Sequence, residues 1–360
     1  MSDPEPSAEA GEPTGASSPS AWMRFLSALP GRRDDVVAIV NGLFGDELND
    51  RDAQFATPMT MRIASANGGS TALPADPVEL AATLDRSGVA VTSKLCILVH
   101  GLMSNESIWR MPDMGAEPQN YGSLLAAEHG MTPLAVRYNT GRHISTNGRE
   151  LARLIDQLVR AWPVPVREVN LIGHSMGGLV VRAACHYGLG SRPGWWHRRW
   201  TSKLRRVVLI GVPNVGAPLE GFVNALSAAL GSLPVAPTRL LGTGLNRRSR
   251  GIKDLRIGAV VDEDWREREP GDLAPAHALV RRPRGTRFLI VAGSVTANSE
   301  HLVARVIGDA MVTEASATGR RHVDSGGDLF PEADHLMFPK ITHNALARHP
   351  TVHLAIANWW

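Results

Sequence analysis

The sequence predicts an α/β domain built on a mostly parallel central sheet with helices on both faces. Three observations carry this expectation. Residues 95–100 (LCILVH) form an unbroken apolar run, as a strand needs when both of its faces are covered. Strand-like runs then alternate with a helical stripe: residues 134–138 (LAVRY), next Leu151, Leu154, Ile155, Leu158, Val159 and Trp162 at helical spacing, next residues 166–172. Strands separated by helical crossovers are the pattern of a parallel sheet. The third observation is a strand that runs directly into the turn Gly173-His174-Ser175-Met176-Gly177-Gly178, followed by Leu179, Val180, Val181, Ala183 and Ala184 at helical intervals.

Taken in order, residues 1–21 are acidic and rich in Pro, Ser, Ala and Gly, and a disordered tail is expected there; residues 22–360 then make one domain. Residues 36–41 (VVAIVN) and 59–64 (MTMRIA) read as antiparallel strands at a sheet edge, and 79–85 as either a short helix or an extended decoration. The strand at 95–100 ends in His100-Gly101-Leu102, a short helix follows at 123–129, and a polar loop occupies 139–147 (NTGRHISTN). Asn147 is placed to cap the next helix, which Pro163 and Pro165 end. Residues 188–200 are a surface excursion and 204–210 the next strand. The stretch 216–282 is expected to be an inserted cap, because Phe222, Leu226, Leu230 and their neighbours are more apolar than an exposed loop requires. Pro234, Pro237 and repeated glycines argue against one continuous helix there. Within and after it, 256–261 reads as a short extended element and 266–283 as loop; 287–292 is a late strand, 308–309 an exposed turn, and 351–360 a final helix packed across the sheet.

Composition excludes several classes. Of the residues, 43% are hydrophobic, enough for a full core. The net charge is +3 and the pI about 9.1, without the concentrated basic face expected of a nucleic-acid protein. Cys96 and Cys185 lie in apolar contexts, far from any C-x-x-C spacing, and read as buried free thiols. The acidic, Pro-rich start does not look like a signal peptide, and no apolar run approaches the roughly 20 residues of a membrane helix, so a soluble cytoplasmic protein is expected. His301, Asp309, His322, Asp324, Asp328 and His335 fall in one region, but without a tight ligand pattern such as H-E-x-x-H; no metal and no cofactor are expected.

The chemistry centres on Ser175. Glycines on both sides let strand and helix approach and let the serine occupy a strained backbone conformation at the tip. A serine hydroxyl is a poor nucleophile alone; it needs a base held in orientation by a third group. Candidate acids and histidines all follow Ser175 in the chain.

The chain resembles the α/β-hydrolase superfamily, and within it bacterial lipases and esterases, at residues 98–102 (LVHGL), 138–151 (YNTGRHISTNGREL), 173–178 (GHSMGG), 211–220 (GVPNVGAPLE), 250–256 (RGIKDLR), 308–312 (GDAMV) and the tail 341–359. The resemblance implies the α/β-hydrolase fold with an inserted cap and cleavage of carboxylic esters through an acyl-serine intermediate. It puts the nucleophile on Ser175, the acid on Asp309 and the base on His343. His335 is the rival base, and Asp324, Asp328 and Asp334 are rival acids. Backbone N–H groups of Leu102 and Met176 would form the oxyanion hole. His100 is assigned a structural or orienting role, and Arg142 and His143 either meet substrate or hold their loop. Asn214 stands where some relatives carry a histidine, which implies altered loop packing. The expected partner is a small ester with an apolar acyl group, bound by Phe222, Leu226 and Leu230; the oligomeric state is left open. A noncatalytic binding protein of the same fold, or an amidase or acyltransferase with the same triad, are the alternatives.

Overall fold

The structure, a computed structural model, describes residues 33–51, 56–64, 69–111, 119–190, 200–217, 249–294 (without 267, 270–273, 275 and 277), 312, 314–319 and 328–360. The tail at 1–21, most of the expected cap including Phe222, Leu226 and Leu230, and Asp309 lie outside the described residues.

An 8-stranded sheet organises the chain, in the spatial order β2-β1-β4-β3-β5-β6-β7-β8. The strands are β1 (Thr60–Ala64), β2 (Ser70–Ala72), β3 (Lys94–Val99), β4 (Thr132–Arg137), β5 (Glu168–His174), β6 (Leu204–Ile210), β7 (Arg287–Ser294) and β8 (Asp334–Pro339). β1 is antiparallel to both β2 and β4, and every pairing from β4 through β8 is parallel. The helices are α1 (Arg33–Arg51), α2 (Pro77–Ser87), α3 (Tyr121–His129), α4 (Ile144–Ala161), α5 (Met176–Gly188), α6 (Arg250–Ile257), α7 (Glu314–Thr318), α8 (His343–Leu346) and α9 (Pro350–Trp359). This is the α/β-hydrolase architecture, with an inserted region between β6 and β7.

The continuous apolar strands follow from burial on two sides. In β3, Leu95, Ile97 and Val99 join the core under α4 and α5, whereas Cys96 and Leu98 join the core under α3 and α9. Neither face meets water, so no polar alternation is selected. The two thiols are free and buried, and burial pushes both up to about 12, which keeps them protonated.

Four local expectations are corrected. Residues 36–41 belong to α1, not to a strand: Val36, Ile39, Val40, Leu43, Phe44 and Leu48 are buried at helical spacing, and Asp34 and Asp35 occupy the helix's first turn. Asn147 does not cap α4. The helix starts at Ile144, whose N–H donates to the Asp254 carboxylate at 2.8 Å, so a distant side chain caps it one turn earlier; Asn147 is buried and donates to the Asn139 carbonyl at 3.0 Å. Residues 256–261 are not extended, because α6 runs to Ile257 and is closed by Gly258 at φ 69°. Finally, β8 forms an edge strand where the sequence predicts none. The segment at 79–85 resolves to a helix, capped by the Asp76 carboxylate on the N–H groups of Val78 and Glu79. The final helix falls where the sequence predicts it.

The described part of 216–282 is built into the body. Ile252 and Leu255 of α6 are buried, Leu255, Val260 and Val261 join the main core, and Ser249 donates to the Gly42 carbonyl of α1 at 2.7 Å.

Candidate active site

The carboxyl ends of the parallel strands deliver the candidate residues to one edge of the sheet, where open α/β sheets place their ligand sites. Ser175 follows β5 and precedes α5, with φ 55° and ψ −129°. A non-glycine residue there costs about 1–3 kcal/mol, and such strain persists only where the surroundings enforce it. Here they do: the Ser175 N–H donates to the Ile210 carbonyl at the end of β6 at 2.9 Å, and its own carbonyl accepts from Gly178 N–H at 3.0 Å. Gly177 is required because a Cβ there would lie 2.3 Å from the backbone carbonyl oxygens of both Val99 and His100. The glycine thus brings the elbow helix against the end of β3.

That contact sets the second wall. A Cβ on Gly101 would lie 2.9 Å from Ser175 Cβ and 3.3 Å from His174 Nδ1. Leu102, partly buried, follows in the turn. Met103 then has φ 55°, and its N–H is taken by the Thr140 hydroxyl at 3.2 Å. On the other side, Met176 is the first residue of α5, where N–H groups have no intrahelical acceptor and the helix dipole favours negative charge.

His100 is fully buried and stacks on Tyr138 with ring centroids 4.6 Å apart. Its Nδ1 donates to the Gly101 carbonyl at 2.9 Å, and burial lowers it to about 4, so the ring is neutral and braces the turn.

His343 begins α8 and is 3% exposed. Its carbonyl accepts from His174 Nε2 at 3.0 Å, and the two imidazole centroids are 4.9 Å apart. Gly101, His174, Ser175, Met176 and His343 are therefore gathered in one place. His335 is not among them. It sits within β8 in the row Gly173, Leu209, Ile290, His335, three strand spacings from β5. At about 4.8 Å per spacing that is roughly 14 Å.

Of the rival acids, Asp334 starts β8 and is bound to Arg287 at 3.3 Å and to the Trp359 indole N–H at 2.6 Å; both contacts hold its carboxyl below the ordinary range, the indole chiefly. Asp328 accepts from the Phe330 N–H at 2.7 Å in a local turn. Asp309, Asp324, His301 and His322 lie outside the described residues. Among the described residues no three His, Cys, Asp or Glu side chains form a group able to hold a metal, and no helix is long and apolar enough to cross a membrane.

His143 is built into the scaffold. Its Nδ1 faces the buried Asp254 carboxylate at 3.0 Å, and its ring stacks on Trp265 at 3.7 Å. Arg142 pairs with Glu150 at 2.6 Å. Asn214 is likewise buried packing: its amide donates to Ala317 O at 2.9 Å and accepts from Arg182 at 3.2 Å.

Several contributing residues escape a reading of the sequence. His174 fills a variable position of the G-x-S-x-G pattern, yet it is buried and hydrogen-bonded. Tyr121 OH shares its proton between the carbonyls of Leu346 at 2.5 Å and His349 at 3.0 Å, fixing the turn that carries His343. Only a polar residue inside an otherwise apolar helix stripe could have signalled it.

Residues 96–342 match the model of the Alpha/beta hydrolase family, and the chain belongs to that family. No curated protein matches it. Among solved structures it is similar to the mature form of the Bacillus licheniformis lipase BlEst2, with 17% identity, 73% of this chain and 91% of that one covered, and a TM-score of 0.45. It is also similar to a Rhodococcus esterase, with 16% identity, coverage of 84% and 98%, and a TM-score of 0.41. A Bacillus subtilis carboxylesterase is a third, with 12% identity, coverage of 88% and 96%, and a TM-score of 0.38.

Proposed function

We propose that this chain is a serine hydrolase that cleaves carboxylic esters through an acyl-serine intermediate. The observation that carries the proposal is the backbone of Ser175, held at φ 55° and ψ −129° between β5 and α5 with His343 anchored to its neighbour. His343 takes the proton of Ser175 Oγ as the oxygen attacks the ester carbonyl. The N–H groups of Leu102 and Met176 meet the developing oxyanion. Met103 N–H is already engaged by Thr140, which supports Leu102 as the donor from that turn. His343 returns the proton to the leaving alcohol, then takes one from water as the water oxygen attacks the acyl-serine, and passes that proton to Ser175 Oγ as the acid leaves. Asp309 holds the imidazole tautomer, and Phe222, Leu226 and Leu230 supply apolar surface for the acyl chain, each methylene contributing about 0.8 kcal/mol before ordering costs.

The test is labelling by a fluorophosphonate, followed by hydrolysis of p-nitrophenyl esters from acetate to long acyl chains. Ser175→Ala should fold, lose labelling and lose at least about a thousandfold in kcat. Activity of the folded variant within tenfold of wild type rejects the assignment, and a profile favouring acetate rejects the apolar acyl site.

A further inference from the structure

We propose that His174, inside the turn that presents Ser175, is a positioning residue that holds the base His343 through its backbone carbonyl. The inference rests on the roles given to Ser175 and His343 above. His174 Nε2 lies 3.0 Å from the His343 carbonyl oxygen. A carbonyl only accepts, so Nε2 carries the proton and the tautomer is fixed. The ring is 2% exposed, Trp109 meets it edge-on at 6.2 Å, and the Gly101 backbone closes its other side. It is a rigid donor.

His343 opens a helix of 4 residues that follows the edge strand β8. The His343 carbonyl would normally find its acceptor role filled from within a longer helix, but the Ala347 N–H turns to Ala345 O, and the donor comes from His174 instead. The peptide that bears the base is thereby tied to the residue next to the nucleophile. Any displacement of the elbow carries both groups together, which preserves their mutual geometry. An error of 1 Å in such geometry can cost about a hundredfold in rate. Tyr121 pins the same turn from its far end, so losing the His174 bond leaves the fold anchored.

A substitution series separates the bond from the packing. In His174→Gln the amide nitrogen reaches the Nε2 position, in His174→Asn it reaches only the Nδ1 position, and His174→Met fills the space without a donor. The Gln variant should stay within about fivefold of wild-type kcat, while the Asn and Met variants lose about 10- to 100-fold in kcat with KM within about threefold. The carbonyl 13C resonance of His343 should move in the Asn and Met variants and stay near its wild-type position in Gln. In the wild-type enzyme, 15N-histidine spectra should show the His174 proton on Nε2. Folded Asn and Met variants as active as wild type overturn the proposal, as does a Gln variant that keeps the carbonyl shift but loses the rate. If the variants do not fold, a wild-type His174 protonated on Nδ1 overturns it. The prior reading fails separately, through fluorophosphonate labelling that survives Ser175→Ala.

Discussion

Gly101→Ala places one methyl group at the junction of the two candidate active-site turns, and its effect can be worked from the geometry. The new Cβ would stand 2.9 Å from Ser175 Cβ, with His174 Nδ1 and the His174 carbonyl both at 3.3 Å. Carbon atoms in contact settle at about 3.5–4.0 Å, so the β3 turn and the elbow must part by about 0.5–1 Å. Neither side yields cheaply. Ser175 Cβ is fixed to a strained backbone, and the Ser175 N–H is bonded to β6. Overpacking of this kind costs about 1–3 kcal/mol. The displacement also moves the Leu102 N–H relative to Ser175 Oγ, and the dependence of rate on position puts the loss in kcat at about 10- to 100-fold. Steady-state p-nitrophenyl ester kinetics, the rate of fluorophosphonate labelling and thermal melting measure the three consequences together. Gly285→Ala is the control: it has φ 73° and nothing within 4 Å of the added carbon, so it should lose about 1–2 kcal/mol of stability through backbone strain and leave kcat unchanged. A folded Gly101→Ala enzyme with kcat/KM within threefold of wild type and an unshifted melt would refute the reasoning, because it would mean that this junction does not meet the substrate.

Two further outcomes are expected. His343→Ala should remove at least about a thousandfold in kcat, whereas His335→Ala, roughly 14 Å away across the sheet, should stay within about tenfold; the opposite ranking in folded proteins transfers the base to His335. Glu106 provides the pH prediction: burial would raise its carboxyl, but hydrogen bonds from Arg137 and Ser70 outweigh burial and hold it at about 2, against an ordinary 4.5. Because the folded-state value is depressed, its stabilisation is full above about pH 4.5 and is lost as pH falls towards 2; the difference amounts to about 3 kcal/mol. Glu106→Gln should therefore melt lower at pH 7 and fall less steeply between pH 5 and 2, and parallel curves for the two proteins would remove Glu106 from the account.

The parts of this fold that are legible in the sequence are those where one physical requirement dominates. β3, β5 and β6 are covered on both faces, so their apolar runs speak for themselves, and the elbow glycines announce themselves because Gly173 and Gly177 meet backbone with no room for a Cβ. Legibility fails where two requirements compete. α1 carries a β-branched run that imitates a strand over 36–41, and only the continuation to Phe44 and Leu48 discloses the helical period. The start of α4 is set by Asp254, more than a hundred residues downstream, which overrides the local capping signal of Asn147. The same contest explains the candidate site. Ser175 can be named from its turn because the turn itself demands an unusual backbone. His343 is marked by its place in the tail ITHNALARHPTVHLAIANW ahead of the final helix, but its tie to His174 is not legible there, because the acceptor is a backbone carbonyl, and a carbonyl belongs to every residue alike. That tie shows only from its partner: a histidine buried beside Ser175 must satisfy its ring N–H, and following that donor to its acceptor leads from the motif to the proposed base.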